Sequence, residues 1–265
     1  MSTSRPIITI LTALILAAVA VGYAQDAGDL AKAAQNPVAN MISLPFQYNA
    51  SFDWGPEDGT LHVLNIQPVW PFSNGKVNFI NRTIVPVVQQ PELAPGQGSK
   101  LGLGDITHTL FLSPAAPSAF TWGVGPVLSM PTATDDRLGN DTWSGGLGAV
   151  GLAMPGKWVV GALIQNLWDI SGDAEINQFL LQYFVNYNMA GGWYLTSAPV
   201  MTADWNVDSG QRWTVPVGGG LGKIFKVGSQ PMNAQFQAFY NVEKPDTVGD
   251  WSLRLQLQLL FPKGG

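Results

Sequence analysis

The stretch that most constrains the fold of this chain is residues 250–261, near its C-terminus. Its sequence, D-W-S-L-R-L-Q-L-Q-L-L-F, alternates apolar and polar side chains with a period of two, which predicts a β-strand with one apolar and one polar face. In a soluble sandwich the apolar face would meet a protein core. In a membrane barrel it would meet lipid while the polar face lines the lumen.

The N-terminus predicts export from the cytoplasm. Arg5 precedes an apolar run over residues 7–21, and Gly22-Tyr23-Ala24 follows, which is the order of a secretory signal peptide. We therefore expect residues 1–24 to be removed. The alternative is an uncleaved membrane anchor, which is disfavoured because the run is shorter than the about 20 residues that a spanning helix needs.

Composition favours the membrane barrel over the sandwich. Charged residues make up 12% of the sequence, against about 25% in typical soluble domains, and a lipid-facing surface needs none. The chain has no cysteine, so no disulfide can stabilise it outside the cytoplasm. A formal net charge of -5 argues against nucleic acid as a partner.

The strand-and-turn pattern continues over residues 41–262. Twelve segments have the length of a tilted membrane-crossing strand, near residues 41–53, 60–72, 76–88, 102–113, 119–131, 143–154, 157–168, 176–187, 192–204, 212–222, 232–243 and 250–261. Their even number places both ends of the sheet on one side. The sequence thus predicts an all-β fold, a closed up-and-down antiparallel transmembrane β-barrel of about twelve strands.

Residues 25–40, before the first strand, contain D-L-A-K-A-A-Q, a helix-like pattern that Asn36-Pro37 would end. Two interpretations fit this short helical or irregular segment. It is either a loose periplasmic tail, which we favour from sequence, or a small plug inside the barrel.

The connections between the predicted strands alternate in length and charge. Short turns such as 73–76 and 155–157 alternate with longer connections such as 88–101 and 132–142. Most acidic residues lie in the longer connections, whereas the short ones carry lysines. This asymmetry is typical of outer-membrane barrels whose longer loops face the outside.

Tryptophans provide a second indication, because aromatic belts mark both lipid interfaces and therefore the ends of strands. All ten fall near the ends of predicted strands, and we predict an aromatic girdle from Trp54, Trp70, Trp122, Trp143, Trp158, Trp168, Trp193, Trp205, Trp213 and Trp251. A soluble sandwich would bury several of them in mid-strand.

Several motifs together resemble one bacterial outer-membrane family. They are N-P-V-A-N-M-I-S-L-P-F-Q at 36–47, L-G-L-G-D-I at 101–106, W-G-V-G-P-V-L-S-M-P-T-A-T at 122–134, G-G-W-Y-L-T-S-A-P at 191–199, W-T-V-P-V-G-G-G-L-G-K at 213–223 and L-F-P-K at 260–263. The family is named for the meta-pathway of phenol degradation, and its members are often labelled transporters or neuromedin U. The resemblance implies an outer-membrane barrel linked to uptake of small, often aromatic, compounds.

Charges and amides inside strands are the candidate lumen residues, because an Arg facing lipid at mid-depth would cost about 2 to 4 kcal/mol. The candidates for the lumen or a selectivity constriction are Arg82, Asp105, Gln182, Arg254 and Gln256. The charges either pair to fill a narrow barrel or set a constriction. With acidic loops above them, we expect the pore to favour neutral or mildly polar solutes.

Other chemistry finds little support. Residues 146–151 match the G-x-G-x-x-G dinucleotide fingerprint, but no βαβ unit surrounds them. Two histidines, His62 and His108, and no cysteine make a metal cluster improbable. His108 falls on the opposite strand face from Asp105, Thr107 and Thr109, against a hydrolase site there. We expect no catalytic residues and no cofactor.

The sequence therefore favours a passive outer-membrane channel or transporter for small molecules. Its expected partners are outer-membrane lipids and lipopolysaccharide, the barrel assembly machinery and a small-molecule solute. Two alternatives remain open: a structural or lipopolysaccharide-interacting barrel without transport, and a barrel-embedded lipid hydrolase.

Overall fold

The computed structural model describes residues 24–262, so the predicted signal peptide at 1–24 lies almost entirely outside the described residues. The elements are helix α1 (Ala24–Ala34) and strands β1 (Ile42–Trp54), β2 (Gly59–Ile66), β3 (Val69–Ser73), β4 (Val77–Gln90), β5 (Lys100–Leu103), β6 (Ile106–Pro114), β7 (Phe120–Met130), β8 (Thr142–Ala153), β9 (Trp158–Gly172), β10 (Asn177–Asn188), β11 (Trp193–Ser197), β12 (Val200–Asp204), β13 (Trp213–Val227), β14 (Gln230–Glu243) and β15 (Trp251–Phe261). Two short 3-10 turns lie at Ala190–Gly192 and Ser209–Gln211.

The strands form one closed antiparallel sheet. Neighbours in sequence pair with each other, and β15 pairs back onto β1 from Ile42↔Phe261 to Ser51↔Ser252. The result is an up-and-down barrel of twelve strands with a short N-terminal helix, which confirms the predicted fold class. Closure leaves no sheet edge unpaired.

Three of the twelve barrel strands are interrupted, which the sequence analysis did not predict. β2 and β3 are separated at Gln67-Pro68, β5 and β6 at Gly104-Asp105, and β11 and β12 at Ala198-Pro199. A proline has no N–H to donate to the ladder, so two of these breaks have a direct chemical cause. The backbone at Gln67-Pro68 still bonds to both neighbouring strands, from the Gln67 N–H to the Pro45 carbonyl and from the Thr83 N–H to the Pro68 carbonyl, whereas both backbone groups of Ala198 bond to side chains.

The two faces of β15 separate as the alternation predicts. Arg254 and Gln258 are buried inside the barrel, while Trp251 and Phe261 are exposed on the outside. The inner residues pair across to inner residues of the neighbouring strands, so that Arg254 stands opposite Asn49 of β1 and Gln237 of β14.

The inner wall is polar on one side and apolar on the other. Amide side chains line β1, β10, β14 and β15, as the sequence suggested. Opposite them lies a buried apolar cluster of Val38, Ile80, Phe111, Val150, Leu152, Val159, Leu163 and Phe184. Apolar side chains of β4, β6, β8, β9 and β10 therefore fill a part of the interior that the amides do not line.

Glycines on the inner face make room for protein groups rather than for a solute. The Tyr194 ring lies over Gly222, where an added Cβ would stand 2.1 Å from the ring. Phe111 occupies the space beside Gly148 in the same way, 3.3 Å from such a Cβ. The glycine-rich strands thus let neighbouring side chains pack close to the backbone.

The N-terminal segment enters the short-turn end of the barrel. Ala31 of α1 and Met41 pack with Tyr194, Ile224 and Leu260 of the wall in one buried cluster. Residues 31–41 therefore pack against the strands of the wall at this end. Their contacts are with strand residues far along the chain, which no local pattern encodes.

All acidic connections lie at one end of the barrel. The strand topology places the loops at 55–58, 91–99 and 131–141 at the end opposite the short turns at 74–76 and 154–157. The acidic residues of the connections therefore gather at the long-loop end of the barrel, and the turn lysines lie at the opposite end.

Labelling of single cysteines tests which end faces outward. Asp136 and Asn74 are exposed at opposite ends of the barrel. We expect a cysteine at Asp136 to react with an impermeant maleimide on intact cells and one at Asn74 to react only after the cells are broken. Equal labelling of both on intact cells would refute this orientation.

Candidate functional site

A polar cavity lies in the lumen directly above the N-terminal segment. The cavity has a volume of about 150 Å³. Its polar lining consists of two arginines, two hydroxyl residues and a set of amides: Arg82, Arg254, Ser43, Thr196, Gln35, Asn36, Gln47, Gln67, Gln182, Asn186, Gln235, Gln237, Gln256 and Gln258. Within the described part of the chain, no Asp or Glu lines this cavity.

The break between β11 and β12 supplies the centre of the site. Pairing with β13 stops after Thr196↔Gly220 and resumes at Thr202↔Thr214, so Ala198 is outside the ladder. The Ala198 N–H donates to Gln237 Oε1 at 3.0 Å, and its carbonyl accepts from Arg254 Nη1 at 2.7 Å. Side chains thus satisfy both backbone groups that the break releases.

Arg254 is held on three sides inside the barrel. Besides the Ala198 carbonyl, it donates from Nε to Asn49 Oδ1 at 3.0 Å, and its guanidinium lies 5.1 Å from the centre of the Phe239 ring. Its exposure is only 8%. The sequence placed Arg254 inside the upper lumen, and the structure shows it there with neutral partners only.

Arg82 approaches the same cavity from β4. Its Nη2 donates to Gln67 Oε1 at 2.8 Å, and Gln67 lies at the break between β2 and β3. Gln182 and Gln256, the other predicted lumen residues, also line the cavity, and Gln182 donates to the Ala198 carbonyl at 3.4 Å. The structure therefore brings four of the five predicted lumen residues together.

Asp105, the fifth, does not line the cavity and does not pair with either arginine. It lies at the break between β5 and β6, where its carboxylate accepts backbone N–H groups from Thr132 at 3.1 Å, Ala133 at 3.1 Å and Asn140 at 2.8 Å. Gly139 packs so closely on this carboxylate that an added Cβ would be 2.6 Å away. Asp105 therefore anchors the loop at 131–141.

Sequence reasoning missed several residues of the site. Asn49, Gln67 and Ala198 were not candidates, although they contact the two arginines directly. The prolines that follow Gln67 and Ala198 were the available signal, because a proline in a strand marks a break where the preceding residue can turn inward.

The floor of the cavity is formed by the segment after α1. Gln35 and Asn188 exchange two hydrogen bonds, Gln35 Nε2 to Asn188 Oδ1 at 2.9 Å and Asn188 Nδ2 to Gln35 Oε1 at 3.1 Å. Asn36 Oδ1 accepts from the Val38 N–H at 3.0 Å, and Val38 inserts into the apolar cluster. The floor is thus fixed to β10 by one amide pair and one apolar side chain.

The predicted girdle lies on the outer surface near the strand ends. Trp54 and Trp213 are half-buried, and the remaining eight are exposed by 38–63%: Trp70, Trp122, Trp143, Trp158, Trp168, Trp193, Trp205 and Trp251. Trp205 and Trp213 pack edge to face with ring centres 5.6 Å apart. This placement suits two lipid interfaces.

Both histidines face outward rather than into the cavity. His108 Nδ1 lies 3.0 Å from Thr83 Oγ1 on the neighbouring strand, and His62 Nδ1 lies 2.7 Å from the Tyr48 hydroxyl. Thr83 was not considered from sequence, because it reaches His108 only through the register of β4 with β6. The hydrogen bonds of the described residues give His108 no third group to orient it as a catalytic base.

The described residues contain neither a cluster of metal ligands nor a membrane-spanning helix. Within 24–262, no three His, Cys, Asp or Glu side chains gather as metal ligands would. Over the same range, no helix is long and apolar enough to cross a membrane.

Known structures with a similar fold are outer-membrane barrels. A crystal structure of an outer membrane channel from Pseudomonas putida F1 matches with a TM-score of 0.62 and 17% identity, over 84% of this chain and 96% of that one. The CymD monoaromatic hydrocarbon channel matches with a TM-score of 0.51 and 10% identity, over 94% and 95%. Phospholipase A of Escherichia coli, at a TM-score of 0.40 and 12% identity over 84% and 97%, is too dissimilar to support an argument.

At such low identity these similarities show the fold alone. No protein-family model matches the sequence, and no curated protein is significantly similar to it. The resemblance to the phenol-pathway family therefore remains a prediction.

Replacing Asp105 tests its role as a loop anchor. Asp105→Ala removes the acceptor for three backbone N–H groups, and bonds to a charged acceptor contribute about 1.5 to 3 kcal/mol each. We expect hydrogen exchange in the loop at 131–141 to accelerate by at least about thirtyfold while the barrel stays folded. The exposed Asp136→Ala in the same loop is the control, and equal exchange in both variants would contradict the anchor.

The ion pairs of Asp135 predict its titration. Hydrogen bonding to Lys100, the main cause, together with Arg137 lowers the pKa of Asp135 to about 2. A depressed pKa means that these pairs persist below pH 4 and are lost only as the pH falls through about 2. Carbon NMR of the Asp135 carboxyl should show this midpoint, and Lys100→Ala should move it upward towards about 3.9.

Proposed function

We propose that this protein is a channel of the bacterial outer membrane that passes small molecules through its barrel lumen. The observation that carries the proposal is the polar cavity with two inward arginines, enclosed by a closed barrel whose outer surface is apolar and aromatic. A barrel with a purely structural role needs no cavity, because side chains could fill its interior completely. Buried charges facing an open cavity are typical of a solute path.

The outer surface and the acidic loops support the proposed location. Exposed tryptophans near both ends of the strands suit the two lipid interfaces of an outer membrane. The predicted signal peptide and barrel assembly machinery would deliver the chain there. Lipids surround the wall, and lipopolysaccharide meets the loop end.

Transport in this proposal is passive. A solute enters between the loops, exchanges its hydration for the amides of the cavity and leaves past the N-terminal segment. The fold is similar to that of a channel named for monoaromatic hydrocarbons, which favours small aromatic or other hydrophobic compounds as solutes. The chain supplies no energy source and no reaction, so the concentration gradient drives the flux.

Liposomes distinguish this proposal from its two rivals. Purified protein in liposomes should admit arabinose faster than empty liposomes do, measured by osmotic swelling. A lipid hydrolase would release fatty acid, and a structural barrel would do neither. Absence of swelling in both the wild type and the variant with an opened floor described next would overturn the channel proposal.

Opening the floor of the cavity should raise the flux. Gln35→Ala removes both hydrogen bonds to Asn188, which contribute about 1 kcal/mol each, and should increase the open population by roughly thirtyfold. Deletion of residues 25–37 should increase it further. Lys32→Ala, on the preceding helix α1, is the matched control. Swelling that is equal in all variants would show that the segment does not limit passage.

Folding of each variant is checked before its flux is compared. A closed barrel changes its migration on gels when it is heated, and this shift must be retained. Conductance in planar bilayers then gives a second measurement on single channels.

A further inference from the structure

The two arginines of the cavity have no acidic partner among the residues that the structure describes. Arg82 and Arg254 line the same cavity, and no Asp or Glu is present in the lining that the structure describes. Asp105 was the acid that the sequence placed in the lumen with them. Its carboxylate instead accepts hydrogen bonds from three backbone N–H groups of the loop at 131–141. The cavity thus holds two guanidinium groups that neighbouring acids do not neutralise.

Most of the donors of these guanidinium groups are unused. An arginine has five N–H donors. Arg254 places one on Asn49 and one on the Ala198 carbonyl, and Arg82 places one on Gln67. All three acceptors are neutral. They satisfy hydrogen bonds of the guanidinium groups but do not neutralise the positive charges of these groups. Buried charges are costly unless they are paired, and residues 24–262 place no acid in this cavity to pair with them.

We propose that the cavity is a binding site for a small organic carboxylate, held by Arg82 and Arg254. This inference rests on the proposed channel function and narrows its solute class. It differs from the expectation from sequence that neutral or mildly polar solutes are favoured, which was based on the acidic loops that lie above the positive lumen residues. The cavity instead selects for one negative charge.

The chemistry of the lining selects a carboxylate among anions. The planar guanidinium fork matches the two oxygens of a carboxylate, and the surrounding amides, such as Gln47 and Gln256, can donate further hydrogen bonds. Val69, Leu163 and Phe184 form an apolar part of the same lining. A small hydrocarbon or aromatic body attached to the carboxylate would contact these three side chains.

The acidic loops oppose entry of an anion less than their number suggests. Asp135 is paired with Lys100 and Arg137, and Asp250 lies 3.4 Å from Lys244. Exposed charges farther than about 8 Å are screened at physiological salt. The charge that a solute meets at close range is therefore that of the cavity.

Binding by the detergent-solubilised mature protein tests the site without requiring transport. Benzoate and benzamide have nearly the same shape and differ in charge, and calorimetry should show at least about tenfold tighter binding of benzoate. Arg254→Gln and Arg82→Gln should each weaken benzoate binding by about tenfold or more and leave benzamide unchanged. Lys157→Gln, an exposed turn residue that removes the same charge, should change neither.

Equal affinity for benzoate and benzamide in the wild type would overturn the inference, whether or not the arginine variants fold. Retained benzoate affinity in folded Arg254→Gln and Arg82→Gln would overturn it too. Competition by chloride or inorganic phosphate as effective as that by acetate would show a general anion site and refute the carboxylate assignment.

The outcome is separable from that of the channel proposal. If arabinose passes but benzoate binds no more tightly than benzamide, the channel proposal stands and the carboxylate site is refuted. If benzoate binds preferentially but no solute passes, the carboxylate site stands and the channel proposal is refuted.

Discussion

Backbone hydrogen bonding is the constraint on which the rest of this structure depends. In a membrane, no water is available to an unpaired N–H or carbonyl group, so a sheet can exist there only if it closes on itself. The pairing of β15 with β1 provides that closure over ten residue pairs, from Ile42↔Phe261 to Ser51↔Ser252. Every inner and outer position of the wall then follows from the alternation of side chains along each strand.

The site arises where this pairing is locally given up. At Ala198-Pro199 the ladder between β11 and β13 stops, and the freed backbone groups turn to Gln237 and Arg254. The loss of pairing is tolerated there because the polar side chains of the cavity bond to the freed groups. At Gln67-Pro68 the backbone stays bonded to both neighbouring strands, and it is the Gln67 side chain that meets Arg82. Breaks in the wall and polar side chains in the lumen are thus two parts of one arrangement.

The strands and their faces could be predicted from sequence because they depend on local periodicity. Each of the twelve predicted segments coincides with a barrel strand, and β15 places Arg254 inside as expected. What the sequence could not provide are contacts between distant residues. Gln35 meets Asn188 and Thr83 meets His108 only through barrel closure and strand register. Asp105 has a polar strand position like Arg82, yet the break beside it turns its carboxylate to a loop.

The position of the N-terminal segment has a consequence for assembly. Ala31 and Met41 rest on Tyr194, Ile224 and Leu260, and these three residues belong to the last third of the chain. This segment precedes every described strand, yet its docking surface is complete only once β11, β13 and β15 are all in place. Docking of the segment marks completion of the barrel, and an unfinished barrel, still open along one side, cannot yet hold a closed floor.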